Sequence, residues 1–194
     1  MSITTLKVKE KKMVYLFLAN GFEEIEAITP LDILRRAGAE VKTVSVNGNG
    51  LEVEGAHGVF VKADIEISEV DVDSADMLIL PGGSRGTEGL KESEALRKII
   101  LDANESGIYI AAICAAPTVL GELGLLKKRR ATCYPSLAGE LIDSGAKYKN
   151  DKVVFDGHFI TSEGAGTAAD FGFALTDKLF SRQETDRLRL SMVY

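Results

Sequence analysis

The sequence predicts an α/β fold in three layers, with a mostly parallel sheet between helices, and three observations carry that prediction. Short apolar runs at Val14–Ala19, Val41–Val46, Met77–Leu80 and Ile108–Ile113 have the composition of strands buried on both faces. Between them, Ile25, Ile28, Leu31 and Leu34, and then Leu96, Ile99, Ile100 and Ala103, recur at helical spacing. The runs end in Asn20-Gly21 and Pro81-Gly82-Gly83, which break regular structure. Strands alternating with helices of this length give parallel pairing, because a parallel neighbour needs a crossover.

Taken in order, the first strand leads to a helix over Glu23–Ala37, closed by Gly38, with Pro30 inside it as a bend or a later start. The Asn47–Gly50 turn introduces alternating segments at Leu51–Glu54 and Val59–Val61, read as a hairpin added to the main sheet. After the Cys114 strand, Ala131–Tyr134 and Lys152–Phe155 read as strands around a helix from Ser136 to Asp143. Asp156-Gly157 turns the chain into His158–Thr161. Helices after Gly166 and over Gln183–Met192 complete it. Residues 1–12 read as a flexible N-terminal extension and residues 13–194 as a single domain.

A formal net charge of −6 argues against a phosphate-backbone partner, and the one basic run, Lys127–Arg130, reads as a solvated turn. The longest apolar run is far short of the roughly 20 residues that span a bilayer. Two cysteines and two histidines, Cys114, Cys133, His57 and His158, stand at no metal-ligand spacing, so no metal is expected. So few cysteines fit a reducing cytoplasm better than a disulfide framework.

The chemistry concentrates where Gly107–Ile113 passes directly into Ala115-Ala116-Pro117-Thr118-Val119-Leu120. Cys114 stands at that strand-to-helix junction. A helix start stabilises a thiolate, so its pKa is expected to fall below the usual value of about 8.5. A buried structural cysteine is the alternative. In open parallel sheets the ligand crevice lies beyond the carboxyl ends of the strands. Asn20–Glu26 and Gly82-Gly83 follow strands in the same way as Cys114 does. Gly82, Gly83 and Ala115 offer backbone N–H groups for an oxyanion, although Pro-Gly-Gly also makes plain turns. Glu26 falls between Ile25 and Ile28 and is either a first-turn charge or a carboxyl turned into the crevice, where burial raises its pKa.

The motifs Gly-Phe-Glu-Glu-Ile-Glu, Leu-Pro-Gly-Gly, Ala-Ala-Ile-Cys-Ala-Ala-Pro and Thr-Ser-Glu-Gly-Ala-Gly-Thr, in that order, resemble the ThiJ/PfpI family, and its deglycase branch most. The likeness covers about residues 13 to 182. It implies a flavodoxin-like sandwich, a nucleophile elbow at Cys114, Glu26 as its partner, Gly83 against the sulfur, a homodimer and no cofactor. Two departures matter. Ala115 replaces the His that follows the cysteine in the protease-like branch, and Tyr134 replaces a His before Pro135. Tyr134 and His57, the latter where the branch has an Arg near the crevice, are accessory candidates.

The resemblance implies a small-molecule carbonyl substrate, with glyoxalase-type or deglycase-type chemistry on 2-oxoaldehydes. The alternative is an oxidative-stress sensor in which Cys114 becomes a sulfinate held by Glu26, and loss of Glu26 raises the thiol pKa. Peptidase or amidotransferase chemistry comes third, for want of a base beside the nucleophile.

Overall fold

A computed structural model describes residues 11–48 and 50–194. Most of the predicted extension therefore lies outside the described residues. Lys12 does not behave as part of a free tail, because its carbonyl accepts from Glu40 N at 2.8 Å and its ammonium bonds Asp76 at 2.7 Å.

Strand β1 (Met13–Leu18) is followed by α1 (Glu24–Arg36), β2 (Glu40–Ser45), the short pair β3 (Glu52–Glu54) and β4 (Phe60–Lys62), β5 (Ile65–Glu66) and β6 (Met77–Leu80). Helices α2 (Ser84–Glu92) and α3 (Glu94–Glu105) lead to β7 (Tyr109–Ile113) and α4 (Pro117–Glu122). The chain ends with β8 (Arg130–Ala131), α5 (Ala138–Asp143), β9 (Lys147–Tyr148), β10 (Val153–Asp156), β11 (Phe159–Ser162), α6 (Ala168–Leu179) and α7 (Arg182–Ser191).

Seven strands form the main sheet in the order β10-β11-β7-β6-β1-β2-β5, parallel except for β10. This is the predicted mostly parallel α/β architecture, and its strands alternate residues between two cores. Tyr15, Phe17, Leu78, Leu80, Ile110 and Ala112 face α2, α3 and α4. Val14, Leu16, Met77, Ile79, Ala111 and Ile113 face α1 and α6, whose Leu31, Leu34, Phe171 and Leu175 close that side. Among the described residues no helix is long and apolar enough to cross a membrane.

Two expectations are corrected, one open alternative is resolved and one helix was not anticipated. The β3–β4 hairpin is a separate two-stranded sheet, tied to the main body by a Phe22–Gly55 bridge. Helix α1 begins at Glu24, before Pro30, and Pro30 stays inside it against the bare Gly172 of α6. The strand read at Ala131–Tyr134 ends at Ala131, so Cys133 lies in the loop beyond β8. Helix α2, with six polar residues and two glycines among nine, has no apolar stripe long enough to read.

Candidate functional site

The parallel order brings the carboxyl ends of β1, β6, β7 and β11 side by side. The loops after them meet in a cavity of about 350 Å³ lined by Glu23, Glu26, Gly83, Cys114, Ala115 and Tyr134, together with Ser84, Ser136, Leu137 and Ala165.

Cys114 continues β7 by one bond, its N–H donating to Ser162 O at 2.9 Å, and its carbonyl accepts from Tyr134 N at 2.8 Å. Between those two anchors its backbone turns into the left-handed region, with φ +64°. Such a φ is uncommon outside glycine, and here it aims the sulfur out of the sheet edge into the cavity. Pro117 opens α4, where a missing N–H costs nothing.

Two close approaches explain the paired glycines after β6. A Cβ on Gly82 would stand 2.5 Å from Glu26 Oε2 and 2.7 Å from Cys114 Cβ. Gly83 has φ +91°, and a Cβ there would meet the Gly21 carbonyl. Gly82 donates its N–H to Glu26 Oε2 at 2.9 Å, so it positions the carboxyl and has no free N–H for an oxyanion. The Gly83 and Ala115 amides donate toward the Cys114 sulfur.

Glu26 is 1 % exposed and hydrogen-bonds with the thiol, so of its two readings the carboxyl turned into the crevice is the one observed. Burial raises its pKa to about 7 against the hydrogen bonds from Cys114 and Gly82. The Cys114 thiol is pushed up to about 12 by burial and by the adjacent Glu26 charge, with the Gly83 and Ala115 amides opposing them. This corrects the expectation of a lowered thiol pKa. Helix α4 has only six residues and starts three positions beyond the sulfur, too short and too far to offset two acids sharing one buried site. The two groups titrate as a pair that yields one proton near 7 and keeps the other to about 12. Above about pH 7 Glu26 is the ionised member and the sulfur keeps its proton, so the thiolate that faces the two N–H donors forms when Glu26 takes that proton.

The accessory candidates separate. Tyr134 lines the cavity and is half exposed. His57 does not line it. Its ring lies on the β3–β4 hairpin with Nδ1 2.8 Å from Glu24 Oε2 and 3.7 Å from Glu23 Oε1, and the Glu24 hydrogen bond raises its pKa. A ring already held by carboxylates is a poor anion receptor. Among the described residues Glu23, Glu24 and His57 form the one group with metal-ligand atoms within 4.8 Å of each other, and charge pairing accounts for it. His158 is half-buried against Phe159, with Nε2 3.1 Å from Asn104 Oδ1. Cys133 is fully buried, and burial pushes its thiol up to about 11.

Gly164, in the fourth of the family-like motifs, was not read as a neighbour of the thiol, yet a Cβ there would lie 3.8 Å from both Cys114 Sγ and Glu26 Oε1. Its loop reads as a cap, and it is one: Gly164 N donates to Thr167 Oγ1 at 3.1 Å. Nothing in the local pattern marks that this cap also backs the thiol. Glu23 was missed as a cavity residue for a similar reason, since an acid at a helix start already has an electrostatic explanation.

Comparison with known proteins gives this constellation a context. The DJ-1/PfpI family pattern matches residues 12–178. Protein DJ-1 homolog B of Arabidopsis thaliana is 38% identical over 168 residues, which are 86% of this chain but only 38% of that longer protein. The glutathione-independent glyoxalase DJR-1.2 of Caenorhabditis elegans is 33% identical over 180 residues, covering 92% of this chain and 94% of its own length. The structure of oxidized Toxoplasma gondii DJ-1 superposes with a TM-score of 0.89 at 34% identity, covering 94% of this chain and 98% of that one. By sequence pattern, identity and flavodoxin-like architecture together, the chain belongs to the DJ-1/PfpI family.

Proposed function

We propose that this chain is a cysteine-dependent, cofactor-free enzyme acting on 2-oxoaldehydes or their adducts, of the glyoxalase or deglycase type. The observation that carries the reading is the Cys114 sulfur, strained outward into a cavity between a buried carboxyl with a pKa of about 7 and two amide N–H groups. With methylglyoxal, the sulfur adds to the aldehyde carbon and its proton passes to Glu26. The Gly83 and Ala115 amides beside the sulfur stabilise the new oxyanion. Glu26 then moves a proton from that carbon to its neighbour, which turns the protonated hemithioacetal into a thioester of a 2-hydroxy acid. Water cleaves the thioester, giving lactate and the free thiol, so the sum is methylglyoxal plus water to lactate. Lactate formation by the wild type and its loss in Cys114→Ser is the expected result. No turnover above buffer overturns the reading.

A second reading is favoured by the donors around the sulfur, which suit a sulfinate as well as an oxyanion, and by the similar Toxoplasma gondii structure being of an oxidized form. In that case Cys114 is the sensor. Peptidase chemistry ranks last, because Ala115 follows the nucleophile and among the described residues no histidine lines the cavity.

We also propose a homodimer in the cytoplasm. The exposed apolar side chains Ile25 and Ile28 on α1, with Val59 and Phe60 on the hairpin bridged to its start, support self-association. A monomer mass by solution scattering at micromolar concentration would refute the dimer, and cell fractionation tests the compartment.

A further inference from the structure

The cavity has an uneven charge. Two of its lining residues, Glu23 and Glu26, are carboxylic acids, the others are neutral, and among the described residues no Lys, Arg or His lines it. Glu23 stands at the N-cap of α1, its N–H donating to Gly82 O at 3.0 Å, so its backbone is fixed beside the turn that carries Gly83. Its side chain makes no capping hydrogen bond and is partly exposed. The nearby cations do not cancel it. His57 is shared with Glu24, which it touches at 2.8 Å against 3.7 Å for Glu23, so even a protonated ring leaves that group one negative charge in excess. Arg85 lies against Gly21 and is not part of the cavity wall.

A pocket lined by one sign of charge and walled by apolar atoms focuses its field on whatever enters. We infer that this cavity selects carbonyl compounds by charge, admitting neutral and cationic ones and turning away anions, with Glu23 as the specificity-determining residue. The inference rests on Cys114 being the reacting group. It narrows the substrate class to uncharged 2-oxoaldehydes and amine-bearing carbonyl compounds, and excludes 2-oxo acids, whose carboxylate would meet Glu23 and Glu26 with no cation to receive it.

The test separates charge selection from catalysis. Alkylation of Cys114 by neutral iodoacetamide and anionic iodoacetate, followed by peptide mass spectrometry, compares two reagents of similar size. At low salt the iodoacetate-to-iodoacetamide rate ratio at Cys114 is expected to be about tenfold below that of a small neutral thiol. High salt raises that ratio in the wild type, Glu23→Gln raises it at low salt, and Glu23→Asp keeps it low. Glyoxylate, which can form the hemithioacetal but has no ketone carbon to receive the proton, inhibits methylglyoxal turnover more strongly in Glu23→Gln than in the wild type. A Cys114 ratio equal to that of the small thiol, or one that neither salt nor Glu23→Gln moves, overturns the inference. Methylglyoxal turnover that survives Cys114→Ser would sink the proposed reaction alone, since the alkylation ratio decides the charge selection independently.

Discussion

Gly82 and Glu26 are joined by an N–H to carboxyl bond of 2.9 Å that links the turn after β6 to the first turn of α1. The bond exists only because residue 82 has no side chain, since a Cβ there would enter the space of both Glu26 and Cys114. Gly82→Ala is therefore expected to push the acid and the sulfur apart. We expect a stability loss of about 1–3 kcal/mol, from overpacking. A fall in activity of about 10²-fold, from misplaced groups, should accompany it. Chemical denaturation and steady-state turnover measure the two, and unchanged values would remove Gly82 from the site.

Stability should fall as pH rises through the acid range. The folded protein holds the Glu26 proton up to about 7, whereas the unfolded chain releases it near 4.5. Between those values the native state binds the extra proton, so raising the pH costs it up to about 3 kcal/mol, the loss being complete above about pH 7. Glu26→Gln has no proton to lose, and its advantage over wild type should grow from pH 4.5 to 7. Urea unfolding at intervals across that range tests the sign. The same variant should replace the two-step titration of the pair by a single thiol transition below about 12, which reverses the rise expected from the sequence, because after burial it is the Glu26 charge that pushes the thiol up.

Dilute peroxide should oxidise Cys114 before Cys133, because Cys114 opens into the cavity and Cys133 is fully buried. The wild type should stop at the sulfinic acid, with Glu26 donating to a sulfinate oxygen. Glu26→Ala, which lacks that donor, should proceed to the sulfonic acid. Peptide mass spectra over a peroxide titration decide both points, and oxygen appearing first on Cys133 would reverse the assignment.

The elbow itself stores strain. Residue 114 has φ +64°, a conformation that glycine adopts freely and alanine does not. Cys114→Gly and Cys114→Ala both remove the thiol, so their difference isolates the backbone, and the glycine variant should be more stable by about 1 kcal/mol. Equal denaturation midpoints would mean that the turn is unstrained.

The sheet was legible because its strands are short, apolar and separated by amphipathic helices. The layers followed from Leu31 and Leu34 on one side and Leu96 and Ile100 on the other. Cys114 was legible as the one chemical group at a strand-to-helix junction. Its pKa was not, because the helix beyond it is short and the opposing carboxyl comes from α1, far away in sequence. Edge strand β5 and the β8–β9 pair, of two residues each, are below the length at which alternation carries information. Helix α2 packs through its two glycines, Gly86 against the Phe22 backbone and Gly89 against the Ala19 side chain, and those contacts leave no mark in its own periodicity.

The bond from Cys114 N to Ser162 O also sets an order of events. A chain emerging from the ribosome exposes the thiol well before β11, the strand that anchors its amide, has been made. Until then the sulfur lacks both its elbow and its buried acid, and titrates as an ordinary cysteine with a pKa of about 8.5. Newly synthesised molecules therefore form a separate chemical population, one whose thiol is open to electrophiles from every side, and the finished sheet ends that period by taking the sulfur into its wall.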